Sequence, residues 1–268
     1  MTRWKASGFH FAISFAVLAS LFTIILFRWY PPALFGMAKA GPLLAVLAGV
    51  DLVLGPLLTL IIYRPGKKGL KFDLVVIAIL QVAALAFGLH TVWQSRPAYI
   101  VATTDRFHLV FANEIDPASA AKAAPEYRDA PWLGPRQVAA PLPEDPKARM
   151  EAMIEAMTGL EIQFQPSKYR PYPGPNRDPM PAAITLEDAL ALASADSRAT
   201  LQRMAARHGN PDTLALLPLK STRGSAGVLV ELPNGAIVDF IGIDPWPIFD
   251  AHHARKQAKA PGAAETTR

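Results

Sequence analysis

The chain has no cysteine, so disulfides, thiolate nucleophiles and zinc–thiolate centres are excluded. It also lacks the motifs of common catalysis: a GxSxG nucleophile elbow, an HExxH zinc helix and a GxxxxGK-S/T phosphate loop. The six histidines are scattered. The one adjacent pair, His252 and His253, has no carboxylate directly beside it, and two histidines alone are a weak metal signal. These absences predict neither cofactor, metal nor catalytic residue. Acids are scarce through the first third, where Asp51 and Asp73 are the only ones before Trp93.

What fills that third is apolar sequence. The chain is 51% hydrophobic with a mean hydropathy of +0.20, and this average conceals two regimes divided near Trp93. Three runs, at about 9–28, 41–63 and 72–93, each reach the roughly 20 residues a helix needs to cross a hydrocarbon core of about 30 Å. They predict a membrane domain over residues 1–95, in contact with lipid. A pair of buried soluble helices is the competing reading, disfavoured by the length of the runs. The first run could begin a signal peptide, but it ends in Arg28, Trp29 and Tyr30, the cation and aromatics of a helix leaving a bilayer. It reads as a retained span, stopped by Pro31 and Pro32 before a short loop to Ala40.

Cation counting gives an orientation. Arg64, Lys67, Lys68 and Lys71 crowd the turn between the second and third runs, and Arg3 and Lys5 precede the first. The intervening loop has only Arg28 and Lys39. Positive-inside asymmetry places the N-terminus and the basic turn in the cytoplasm and everything after Trp93 outside. A bacterial inner membrane with a periplasmic C-terminal domain is the expectation. Asp73 reads as an anion at a helix N-terminus, with Lys68 and Lys71 beside it. The net charge of +5 reflects these edges and a polar tail. No basic cluster is interleaved with aromatics, so no nucleic-acid partner is expected.

Residues 96–250 predict an α+β domain. Ala98–Ala112 reads as two β pieces flanking Thr104, Asp105 and Arg106. Asp116 and Pro117 open a short helix, 125–146 reads as ordered coil or an extended covering segment, and Pro146–Thr158 is a helix ended by Gly159. Proline density excludes regular structure over 166–181. Thr185–His208 predicts one amphipathic helix closed by Gly209. Strands at 213–219, 227–232 and 236–243 follow, the last two joined at Pro233-Asn234-Gly235. Residues 251–268 read as a frayed tail. The predicted class is therefore three membrane helices plus a C-terminal α+β extracytoplasmic domain.

Asp51 is the sharpest single signal. A carboxylate at mid-span costs about 2.5–3.5 kcal/mol on the insertion scale and needs a reason. Gly55 and Pro56 interrupt the helical pattern beside it, and Gln81 lies at comparable depth on the third span. Two readings stay open: a polar clasp between Asp51 and Gln81, or contact with a polar group on another membrane helix. Three spans supply too few polar residues for an ion path. Asp105, Arg106 and Phe107 form a second candidate, an extracytoplasmic turn.

The stretches GVDLVLGPLLTLI (49–61), LKFDLVVIAILQVAALAFGLHTVWQSRPAYIV (70–101) and DRF (105–107), with WKASGFH near the start and RWYPP after the first span, resemble the type IV pilin accessory proteins. The resemblance covers residues 1–115 closely and the remainder only in layout. It implies an inner-membrane, chaperone-like partner of type IV pilin that affects pilin stability, assembly or display, with no catalytic residues. The competing classes are a membrane-anchored envelope enzyme, which would need clustered acid–base residues, and a sensor or binding protein, which would need an output domain.

Overall fold

The computed structural model describes residues 2–30, 32–173, 180–208 and 211–259. Contacts divide the chain into two units, Met1–Arg96 and Pro97–Arg268.

The first unit is helical. α1 (Arg3–Arg28) opens with the Thr2 hydroxyl accepting the Lys5 N–H at 3.3 Å, the arrangement expected of a threonine N-cap. A short α2 (Pro32–Met37) occupies the loop predicted after the first span. α3 (Ala40–Gly49), a π-helical turn (Val50–Leu54) and α4 (Gly55–Ile62) run on as one rod, Ala40–Ile62. α5 is Leu70–Gln94. α1, the α3–α4 rod and α5 are each long and apolar enough to cross a membrane. Their outward faces carry side chains such as Phe27, Phe72 and Phe87, 83%, 73% and 74% exposed; such faces suit hydrocarbon rather than water.

The turn before α5 depends on Gly66 and Gly69, at φ 78° and 84°, a region that side-chain-bearing residues avoid. Lys67 reaches Asp73 at 2.6 Å, so the partner of that acid is Lys67 rather than the expected Lys68 or Lys71. At the far end, Tyr30 Oη donates to the Ser95 carbonyl at 3.1 Å, and the Trp29 and Trp93 rings meet edge to face at 5.2 Å. Gly88 lets α5 approach α3 closely, since a Cβ there would sit 2.5 Å from Leu47 Cδ1.

The second unit is an α+β domain, as its composition predicts. Its sheet contains β1 (Pro97–Ala102), β2 (Phe107–Phe111), β3 (Arg136–Ala139), β4 (Arg170–Pro171), β5 (Ile184–Thr185), β6 (Leu214–Lys220), β7 (Ser225–Glu231) and β8 (Ile237–Ile241). The order is β4-β3-β1-β2-β6-β7-β8, with β5 also pairing β6. β1 pairs β3 in parallel and β2 pairs β6 in parallel, while the remaining ladders are antiparallel. The helices are α6 (Pro117–Lys122), α7 (Pro125–Arg128), α8 (Pro146–Met157), α9 (Leu186–Leu192), α10 (Ala195–His208) and α11 (Trp246–Lys259). One core gathers Leu186, Leu201, Leu216, Leu229 and Phe249; the other centres on Tyr99, Tyr127, Val138 and Tyr169.

Four expectations about this unit are corrected. The stretch 166–181, expected to hold no regular structure, contains a 3-10 turn at Pro166–Lys168 and β4, which pairs antiparallel with β3 because Arg170 and Pro171 lie extended along Ala139 and Val138. The helix predicted over Thr185–His208 is two helices. Ala193 is extended at ψ 145°, Ser194 Oγ starts the second helix by accepting the Ser197 N–H at 3.4 Å, and Arg198 binds the Leu190 and Ala193 carbonyls. Gly209, expected to close it, lies outside the described residues. The segment 125–146, expected as ordered coil or an extended cover, holds α7 and an extended piece that is not a cover but β3, set in the sheet interior by parallel pairing with β1. Residues 251–259 continue α11 rather than fraying; 260–268 lie outside the described residues.

Candidate functional site

The unusual feature of the membrane unit is the π-turn. Pro56 has no N–H and its ring collides with the carbonyl four residues back, so a regular α-helix cannot pass through it undisturbed. The chain responds by widening: the Gly55 N–H bonds the Val50 carbonyl, five residues back. Gly55 and Pro56 therefore do not interrupt the rod, as their composition suggested. They loosen one turn, and Asp51 lies in it.

A polar seam runs from this turn across to α1. Ser7 Oγ donates to the Pro56 carbonyl at 2.8 Å, and His10 Nδ1 shares a 2.6 Å hydrogen bond with Thr59 Oγ1. Ser7, His10 and Ser14 fall on one face of α1, and Asp51, Gly55 and Thr59 on one face of the rod. Thr59 is 3% exposed and Asp51 only 4%. Beside them opens a cavity of about 240 Å³ lined by His10, Ser14, Asp51, Gln81, Val82 and Leu85, among others. A second cavity of about 350 Å³, reaching Ala6, Thr59, Tyr63 and Leu74, shares His10, Ile13 and Ala78 with it.

Asp51 and Gln81 share the cavity wall, yet among the described residues no hydrogen bond joins them. Asp51 Oδ2 is buried with no hydrogen-bond partner at all. The Gln81 amide is instead laid over Gly55, where an added Cβ would come within 1.9 Å of Nε2. Of the two readings of Asp51, the internal clasp is therefore absent from this arrangement. Sequence reasoning missed Ser7, His10, Ser14 and Thr59. The signal available was their spacing, because polar residues at intervals of three and four on a membrane helix share one face.

The second candidate, the Asp105–Arg106–Phe107 turn, divides. Asp105 and Arg106 form a doubly hydrogen-bonded ion pair, with Arg106 Nε 2.9 Å from Asp105 Oδ1 and a second bond from Nη2 to Oδ2. That bond holds the Asp105 carboxyl below and the Arg106 guanidinium above their ordinary values. The guanidinium also lies over Trp246, 4.9 Å from the ring centroid. Phe107, by contrast, is 0% exposed and packs edge to face on Tyr172 at 5.4 Å, so it belongs to the core and not to a contact surface. Next in the strand, burial and the Arg106 charge push His108 down to about 4. His108 lines a cavity of about 340 Å³ with Glu161, Gln163, Lys220, Ser221 and Thr222.

That cavity has polar walls already engaged. Ser221 Oγ donates to the Gly224 carbonyl at 3.0 Å and accepts the Arg223 and Gly224 N–H groups, both at 3.1 Å. Glu161 accepts from Gln163 Nε2 at 2.7 Å, and Thr222 donates to Glu114. Among the described residues no three His, Asp or Glu side chains gather as a metal would require. The edge strand β8 is blunted for pairing by a bulge against β7 and by Asp239 Oδ1, which accepts the Phe240 N–H at 2.8 Å.

Three helices long and apolar enough to cross a membrane, two of them joined by a buried polar seam, followed by an α+β domain, define a membrane-associated protein whose distinctive polar chemistry lies between its apolar helices. The chain belongs to the family of fimbrial assembly proteins. It is 32% identical over 113 residues to the fimbrial assembly protein of serogroups C1 and C2 of Dichelobacter nodosus, covering 86% of that protein and 41% of its own length. It is 28% identical over 250 residues to the serogroup I protein and 27% identical over 250 residues to the serogroup E1 protein of the same organism. Those two matches span 91% of this chain and 96% of each relative, so both units are included. No protein-family profile and no solved structure matches the chain.

Proposed function

We propose that the chain takes part in type IV fimbrial biogenesis as an inner-membrane, chaperone-like protein that binds the pilin subunit and modulates its stability, assembly or display. The observation that carries this reading is the full-length match to fimbrial assembly proteins, which takes in the membrane helices as well as the α+β domain. The buried seam around Asp51 supports it, because a polar group held at mid-bilayer depth is suited to reading another membrane helix. The basic turn of Arg64, Lys67, Lys68 and Lys71 favours a cytoplasmic N-terminus and a periplasmic α+β domain.

The protein acts by binding, without turnover. Supporting this, the Ser221 hydroxyl, which lines the domain cavity with His108, is committed to its own turn. The test is recovery of pilin with the tagged full-length protein from detergent-solubilised membranes, together with surface pilin in a deletion strain. Specific recovery and altered surface pilin are expected. Unchanged piliation with no recovered pilin would refute the reading.

A further inference from the structure

The three membrane-crossing helices leave a trough. α1 packs on α4 and the π-turn, and α5 packs on α4, the π-turn and α3, while α1 and α5 scarcely touch each other. The two adjoining cavities, which share His10, Ile13 and Ala78, run along this gap, from Ala6 and Leu74 at one end to Val17 and Leu85 at the other. That distance is about 16 Å, or about three helical turns. The rim is apolar and open: Ile13, Val17 and Val82 are 49%, 42% and 66% exposed. Into an otherwise apolar floor are set His10, Ser14, Asp51 and Gln81, and Asp51 Oδ2 is buried there without a partner.

We propose that this trough seats one membrane-crossing helix of a partner subunit, and that the helix brings a hydrogen-bond donor to Asp51 Oδ2. The inference rests on the reading that the chain binds pilin, and it names the surface and the contact. A lone carboxylate oxygen in hydrocarbon is costly until a donor meets it. Three of the chain's own seam donors are placed elsewhere: His10 is bonded to Thr59, Ser7 to the Pro56 carbonyl, and the Gln81 amide lies over Gly55. The Ser14 hydroxyl lines the same cavity but makes no hydrogen bond to Asp51 Oδ2.

Other occupants fit less well. A lipid tail would fill the apolar rim but brings no donor. A second copy of this chain is poorly supplied, because its outward hydroxyls are spent on their own helices. Ser20 donates to the Ala16 carbonyl at 2.8 Å, Thr23 to Ala19 at 2.7 Å and Thr91 to Phe87 at 3.0 Å. The backbone of whatever enters at this depth must satisfy itself, which requires a helix. The donor class is an ammonium, guanidinium, amide or hydroxyl.

The absence of cysteine makes the test clean. Single cysteines are placed on the rim, Val17→Cys and Val82→Cys, and on the opposite faces of the same helices at Phe15→Cys and Leu80→Cys, which are 56% and 61% exposed. Each full-length variant is oxidised in membranes against single cysteines along the membrane helix of pilin. The rim positions should cross-link to that helix and the opposite faces should not. In a parallel experiment, Asp51→Leu should cut pilin recovered per accessory chain by about three- to thirtyfold, the range of one interhelical hydrogen bond. Asp51→Asn, which keeps an acceptor, should retain more pilin than Leu. Scoring pilin per recovered chain keeps a fall in protein level from counting as lost binding.

The inference is overturned, with the pilin reading intact, if pilin co-purifies but cross-links equally from Phe15→Cys and Leu80→Cys. Cross-linking of Val82→Cys to a second copy instead, or full pilin recovery with Asp51→Leu, would overturn it in the same way. Failure of the wild-type chain to recover pilin would sink both.

Discussion

His108 should make the C-terminal α+β domain sensitive to acid. Its imidazole is mostly buried and faces Arg106, Asp105, Glu161 and Lys220; burial first, then the Arg106 charge, push it from the ordinary 6.5 down to about 4. Between those values the unfolded chain binds a proton that the folded domain refuses, so stability is full above about pH 6.5 and falls with acidification. At about 1.4 kcal/mol per pH unit the loss reaches about 3 kcal/mol by pH 4 and then levels off. The assay is chemical denaturation of the full-length protein in detergent from pH 8 to pH 4, followed by tryptophan fluorescence. His108→Gln removes the titrating group and should flatten that part of the profile, while lowering stability at pH 8 through imperfect packing. An unchanged slope in His108→Gln would show that another group carries the acid sensitivity and that the strand around His108 is more solvated than its burial implies.

Alkaline phosphatase fused after Ile115 should be active and fused after Lys68 silent; the reverse would refute the orientation drawn from the basic turn. Gly55→Ala places a Cβ where the Gln81 amide now lies. Because that amide ends a flexible side chain, the cost in detergent melts should be at most about 1 kcal/mol, and Gln81→Ala should relieve it. Thr59→Val keeps shape but removes the partner of His10, and should cost about 0.6–2 kcal/mol of helix association. Adding His10→Ala should then cost little more, and an additive second loss would contradict the pairing.

The architecture was legible wherever a signal was local and strong. Apolar runs of spanning length located the three membrane helices, and short β-rich segments between turns located β1, β2, β6, β7 and β8. Asp116 caps its helix by accepting the Ser119 N–H at 2.7 Å, as its place before Pro117 suggests. β3 was not legible, because Arg136–Ala139 has little strand character of its own. Its conformation comes from lying against β1, with the Ala140 N–H bonding Ala102 at 2.8 Å, and sheet pairing routinely overrides such weak local preference. The break at Ala193 was hidden in a continuous helical pattern, since Ser194 reads equally well as a tolerated interior serine or as a cap.

The intramembrane site was half legible, and the missing half changes what Asp51 means. From sequence, Asp51 and Gln81 were the conspicuous polar pair, so a clasp between them was natural. In the fold the helices are already joined without it, through Ser7 on the Pro56 carbonyl, His10 on Thr59, and Gly88 beneath Leu47. Asp51 contributes no hydrogen bond from its buried Oδ2, and an unmet buried acceptor costs about 1–3 kcal/mol. Stability and binding should therefore move in opposite directions. Asp51→Leu should melt in detergent no lower than the unsubstituted protein, and as much as about 1–3 kcal/mol more stably, while losing its partner. A clasp predicts a loss on the order of 1 kcal/mol in the same melt. If Leu lowers the melting temperature and Gln81→Leu lowers it equally, with no further loss in the double variant, the two side chains are coupled in the membrane and the clasp is restored.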